Sequence, residues 1–296
     1  MRFTYHIGLH CTDRDRALTC LLRNGAALAA RGTAIAAPER FRPALREAML
    51  ALKGMPAPPD MQERLMDAVT DLDAPTHVMF SSDSFLCVPA RAVSGGTLYP
   101  LVSERAPWIR NLFPDSPAHF CLALRNPATL LPALQSRFAE SESFDDFLAR
   151  IDPEALCWAD MVARLRAAIP DAEITLWCNE DAPLLWPDIL AILAGAPDDP
   201  ALPDTLEGAG DFLAELMRPE GTTRLGSYLE QNAPRSPSHR RRVIAAFLDR
   251  FARPEAVSAT YELPGWTGTR VARLTEAYEA DLARIERMEG VRLLRP

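Results

Sequence analysis

Residues His10-Cys-Thr-Asp-Arg-Asp-Arg16 bring an imidazole, a thiol, a hydroxyl, two carboxylates and two guanidiniums into one short run. The run separates an apolar segment from an amphipathic one, so it stands where a helix begins. There, backbone N–H groups face outward, attract anions and lower the pKa of a thiol. Cys11 beside His10 has the composition of a nucleophile and its base, although Asp13 and Asp15 disfavour a thiolate. Arg14 and Arg16 suit an anion. Asp13 and Asp15 can equally be first-turn acids that cap the helix and complement its dipole. Two further positions carry chemistry. Asp83, after Ser81-Ser82, is a proton acceptor or a turn cap. Arg125, before Asn126-Pro127, is an anion ligand or the partner of a carboxylate such as Asp83 or Glu180. The six cysteines (Cys11, Cys20, Cys87, Cys121, Cys157 and Cys178) are dispersed, with no CxxC pair and no zinc spacing, so reduced thiols and no metal site are expected.

The elements that position these groups follow from periodicity. Phe3 to Leu9 reads as a buried strand, and Arg14 to Arg31 as a helix with leucines at helical spacing and Gly32 as its stop. Thr33 to Ala36 is a short second strand. Helices follow over Glu39 to Leu52 and Asp60 to Leu72. Strands are expected at Thr76 to Ser82, Ala118 to Leu124 and Ala172 to Cys178. Between them lie helices near Val102 to Leu112, from Pro127 to about Glu140, and from Pro153 to Ile169. After Asn179-Glu-Asp181 the chain reads as mostly helical, with Val291 to Leu294 as a closing strand. Strands that alternate with helices make a parallel sheet covered on both faces. The expected architecture is a three-layer α/β core of about five strands over residues 1–194. A helical C-terminal region, 195–296, packs on it, with Gly195 to Pro203 as the hinge. In such a sheet ligands sit beyond the carboxyl ends of the strands, which is where residues 10–15, 81–84, 125–127 and 179–181 fall. His77 and His119 lie inside strands and are expected in the core.

The order of several segments resembles the P-loop sulfotransferases. Tyr5-His-Ile-Gly-Leu-His-Cys-Thr12 followed by a helix is similar to their first strand and phosphate loop, and Ser81-Ser-Asp-Ser-Phe-Leu86 to their Ser-Ser-Glu-x-Leu segment. Leu98-Tyr-Pro100, Phe113-Pro-Asp115, Leu122-Ala-Leu-Arg-Asn-Pro127 and the closing Leu274, Tyr278, Asp281, Leu282 and Gly290-Val291 come in the family's order. The likeness is strongest in residues 3–30 and 77–138. It implies a P-loop NTPase-like sheet and sulfuryl transfer from 3'-phosphoadenosine 5'-phosphosulfate (PAPS) to a hydroxyl or amine, for instance of a carbohydrate. In that reading His10 to Arg16 and Arg125 bind the cofactor, Asp83 is the base, and Arg14 or Arg16 takes a lysine's place in compensating charge on the leaving oxygen.

The match departs from the family where the chemistry is densest. Cys11 occupies the lysine position, Asp13 the loop glycine, Arg14 and Asp15 the hydroxyl positions, and Ala133 the serine expected eight residues after Arg125. Lys53, the only lysine, lies in no strand-to-helix turn. A carboxylate 4 Å from a bound phosphate costs about 4 kcal/mol at an effective dielectric of 20. The expectation is therefore a sulfotransferase-like protein with a diverged cofactor site, noncatalytic or binding a small anion, with no cofactor. The alternative is an active PAPS-dependent enzyme, and a remote one is thiol chemistry at Cys11. A net charge of −8 disfavours nucleic acid and anionic membranes as partners. No apolar run approaches bilayer-spanning length and the first thirty residues lack a signal-peptide core, so a cytoplasmic location is expected.

Overall fold

The computed structural model describes residues 1–137, 142–257, 261 and 263–296. From the N-terminus the chain forms β1 (Arg2–His6), α1 (Arg16–Arg23), α2 (Gly25–Ala29), β2 (Thr33–Ile35), α3 (Pro38–Leu52), α4 (Pro59–Val69) and β3 (His77–Ser81). A small antiparallel hairpin, β4 (Val93–Ser94) and β5 (Thr97–Leu98), turns at Gly95 and Gly96. Then come α5 (Val102–Arg110), β6 (Ala118–Leu124), α6 (Pro127–Gln135), α7 (Phe144–Ala149), α8 (Trp158–Ala168), β7 (Glu173–Cys178) and α9 (Ala182–Leu193). The remainder is α10 (Leu202–Thr205), α11 (Asp211–Leu216), α12 (Pro219–Gln231), α13 (Pro237–Phe251), α14 (Pro254–Val257), α15 (Gly268–Ile285) and β8 (Val291–Leu294). The expected end of α6 at Glu140 lies outside the described residues.

The main sheet runs β2-β3-β1-β6-β7-β8, every neighbouring pair parallel. It has six strands rather than about five, because β8 returns from the C-terminal region and pairs with β7. Side chains alternate across each strand. Phe3, Tyr5, Phe80, Phe120 and Leu122 enter the larger core with α3, α5, α6, α8 and α15, and Phe3 stacks 3.9 Å from Phe113. The opposite face is more polar. Beneath α1 and α9, His77 Nε2 pairs with Thr4 Oγ1, His119 Nε2 with Thr175 Oγ1, and His6 Nδ1 with Ser81 Oγ, each at 2.8 Å. His77 and His119 are thus core residues, each hydrogen-bonded to a threonine, as burial of a polar ring requires.

The long helix expected from Pro153 to Ile169 is divided. A 3-10 turn at Pro153–Ala155 precedes α8, and Cys157 between them is extended. The buried Asp281 carboxylate from α15 accepts the Trp158 N–H at 2.6 Å, supplying a partner to one of the N–H groups that a helix start leaves free. Helices α11 to α13 build a separate small core around Met217, Leu225, Ile244 and Phe251. Within the C-terminal region, α15 and β8 belong to the layers of the main sheet, while α11 to α13 pack outside α9 around their own small core.

The chain leaves β1 toward the α1 face and leaves β3 toward the α3 face. Adjacent parallel strands with exits on opposite faces open a crevice at their carboxyl ends. It lies between β1 and β3.

Candidate functional site

That crevice is a cleft of about 590 Å³. The segment after β1 forms one wall, Ser81 and Asp83 after β3 a second, and Arg125 with the end of α6 a third. Gly8 permits the close approach of the first two. Its φ is +95°, and a Cβ there would lie 2.9 Å from the Asp83 Cα, closer than packed carbon atoms come.

The loop beyond Gly8 is held by the protein's own groups. Cys11, Arg14 and Asp15 adopt left-handed backbone at φ 61°, 53° and 60°. Such conformations cost side-chain-bearing residues free energy and persist only where surrounding contacts enforce them. The Tyr99 hydroxyl accepts the His10 backbone N–H and stands 3.0 Å from His10 Nδ1. Thr12 Oγ1 donates to the Leu9 carbonyl at 2.6 Å, and Arg125 donates to the Cys11 carbonyl at 2.5 Å. The Cys11 thiol donates to the Ala133 carbonyl at 3.4 Å.

The start of α1 is the decisive feature. The Asp13 carboxylate accepts the backbone N–H groups of Asp15 at 3.2 Å and Ala17 at 3.3 Å, and the Asp13 carbonyl accepts that of Arg16 at 3.1 Å. The N–H groups that would face a phosphate already hold an anion supplied in cis.

The run proposed to bind cofactor divides. Cys11, Thr12, Asp13, Arg14 and Asp15 line the cleft together with Asp83 and Arg125. His10 does not line it: its fully buried ring stacks on Tyr99 at 5.7 Å. Arg16 is also turned away. Its guanidinium donates to Glu215 of α11 at 3.0 Å and lies 4.8 Å from the Phe212 ring. Of the two candidate substitutes for a lysine, Arg14 alone faces the cleft.

The electrostatics limit the chemistry. Asp83 is ion-paired with Arg137 at 2.9 Å and accepts the Ser84 hydroxyl at 2.9 Å. Burial pushes its carboxyl upward, but the Arg137 hydrogen bond, nearby His10 and Ser84 together hold it below the ordinary carboxylate range. A carboxylate stabilised in this way is a weak proton acceptor. Burial, reinforced by Asp13, raises Asp15, and burial also raises the Cys11 thiol. Arg137 and Arg125 stand close enough to favour the Cys11 thiolate, but burial outweighs them and the thiol is not activated. Arg125 makes no ion pair among the described residues. It donates to Thr129 Oγ1 at 3.0 Å and to the Tyr261 hydroxyl at 3.3 Å besides the Cys11 carbonyl.

Glu180 and Asp181 lie outside the cleft. Glu180 accepts the Asn126 N–H at 2.9 Å and the Tyr278 hydroxyl at 3.2 Å, tying the end of β7 to α6 and α15. Asp181 pairs with Arg295 at 3.9 Å. Ser136, Arg137 and Tyr261 line the cleft with no sequence signal, while His6 and Ser81 stood only within a strand and at a strand end, with no role assigned. Only the alternation of β1 and β3 places His6 and Ser81 on the same face. Nothing local marked Arg137 as a partner of Asp83. Among the described residues no group of three or more His, Cys, Asp or Glu side chains is arranged to hold a metal ion. No helix among them is long and apolar enough to cross a membrane.

Comparisons of this chain with family models, with curated proteins and with solved structures give no match.

Proposed function

We propose that this chain is a sulfotransferase-like protein of P-loop-type ancestry whose cofactor site has diverged, and that its cleft binds a small anion at Arg125 and Arg14 without PAPS-dependent transfer. The Asp13 carboxylate on the α1 N–H groups carries the proposal. A donor's phosphosulfate would have to displace it or sit beside it, and a pair of like charges about 4 Å apart in such a site weakens binding nearly a thousandfold. The Arg125 guanidinium supports the same reading, because it holds a loop carbonyl while facing the cleft with no carboxylate partner among the described residues. The site would then hold a free inorganic or small organic anion rather than a nucleotide.

An active transferase with Arg14 at the leaving oxygen and Asp83 as base is the second reading. The shared cleft position of Asp83, Arg14 and Arg125 favours it; the Asp83–Arg137 pair weakens its base. Thermal shift separates the two. Phosphate or sulfate is expected to raise Tm, and 3',5'-ADP to raise it no further at equal concentration. Arg125→Ala, measured against its own unliganded Tm, is expected to lose the response. A ligand at a hundred times its Kd stabilises by about 2.7 kcal/mol, which such an experiment reads easily. Preferential stabilisation by 3',5'-ADP that is lost in Arg125→Ala, or sulfuryl transfer to any acceptor, would overturn the proposal.

A further inference from the structure

A second cavity, about 500 Å³, adjoins the cleft across the segment after β3. Successive residues there point to alternate sides: Ser81 and Asp83 line the cleft, and Ser82 and Ser84 line this groove. Its floor is apolar, built by buried Phe41 and Leu45 of α3 against buried Phe85 and Leu86. At its lips Leu50 and Val88 are 50% and 55% exposed, a placement that wastes apolar surface unless something covers it.

The charge around the groove is one-sided. Four arginines line it, Arg42, Arg46, Arg91 and Arg105, and no carboxylate does, in a chain of net charge −8. Arg105 is committed elsewhere, 3.9 Å from the Trp108 ring and 3.6 Å from Glu104. Arg42, Arg46 and Arg91 are exposed and make no ion pair among the described residues. An apolar trough under unpaired guanidiniums complements a molecule with an apolar body and an anionic head. Guanidinium forks match carboxylates in particular, taking both oxygens at once. The volume falls within the range of small-molecule sites.

We propose that this groove binds a freely dissolved amphipathic carboxylate, its alkyl or aryl body on the Phe41, Leu45, Phe85 and Leu86 floor and its head among Arg42, Arg46 and Arg91. The site stands on its own lining and does not depend on what occupies the neighbouring cleft.

Isothermal titration of the full chain with decanoate, below its micellar range, tests this. One saturable site is expected. Decanol, which lacks the charge, and decyltrimethylammonium, which inverts it, should bind at least tenfold more weakly. Arg46→Glu/Arg91→Glu should weaken decanoate at least tenfold, while Arg287→Glu, the same change far from the groove, should not. Arg91→Gln alone, expected to weaken binding severalfold, keeps the test readable if the double variant fails to fold. Absence of a saturable decanoate site overturns the proposal, as do equal affinities for decanoate and decanol or an unaltered affinity in the arginine variants. Binding to phosphatidylglycerol vesicles without a decanoate site would also overturn it, assigning the groove to a membrane surface.

Discussion

Asp13 is the residue on which the proposed divergence turns. Its carboxylate accepts N–H groups at the start of α1, and in the proposed reading it also keeps out the anion that a helix start attracts. These two roles can be separated. Asp13→Asn keeps an acceptor for the Asp15 and Ala17 N–H groups but removes the charge. It is expected to change stability by less than about 1 kcal/mol, as among good capping residues, while tightening phosphate binding at least tenfold. Equilibrium urea unfolding and phosphate titration of the same variant check both parts. Unchanged phosphate affinity would mean that the carboxylate does not control access. That Asp13 could cap was legible from its place before an amphipathic segment, since capping is a local interaction. The direction of Arg16 was not, because its partner Glu215 is brought near only by the packing of α11.

At the scale of elements, β1, β3 and β6 carry histidines on the face beneath α1 and α9. Burial, with a smaller contribution from Arg2, pushes His77 and His119 down to about 4, against an ordinary value of 6.5. Between those values the unfolded chain takes up protons that the folded sheet refuses, so stability must fall as pH drops from about 6.5 toward 4. The full effect is roughly 3 kcal/mol for each ring, reached only below pH 4. Urea midpoints of the wild type should decline between pH 7 and pH 5. The double variant His77→Gln/His119→Gln should show a distinctly flatter decline. Equal slopes would remove the histidines from the explanation. The strands themselves were readable from their apolar and β-branched runs. The division of the segment at 153–168 was not, because Asp281, more than a hundred residues away, caps α8.

For the whole molecule, the C-terminal region matters to the core as well as to the small helical unit. Tyr278 and Leu282 of α15 belong to the main core, Asp281 holds the start of α8, and β8 covers the edge of β7. Removing residues 290–296 would expose the unpaired backbone of β7, a template for association with a second chain. The shortened protein is expected to form oligomers or aggregates in size-exclusion chromatography with light scattering, at concentrations where the full chain does not. An unchanged elution and scattering mass would show that β8 is dispensable as an edge cover. By itself the sequence determined the alternation of strands and helices, the inner histidines and the neighbourhood of the cleft. Periodicity, helix starts and strand ends are written in adjacent residues and need no knowledge of the rest. Tertiary structure alone decided that the closing strand joins the main sheet beside β7, the Asp83–Arg137 pair, the inward turn of His10 and the arginine-rimmed groove. Each joins groups far apart along the chain, and contacts of that kind leave no spacing in the sequence from which they can be read.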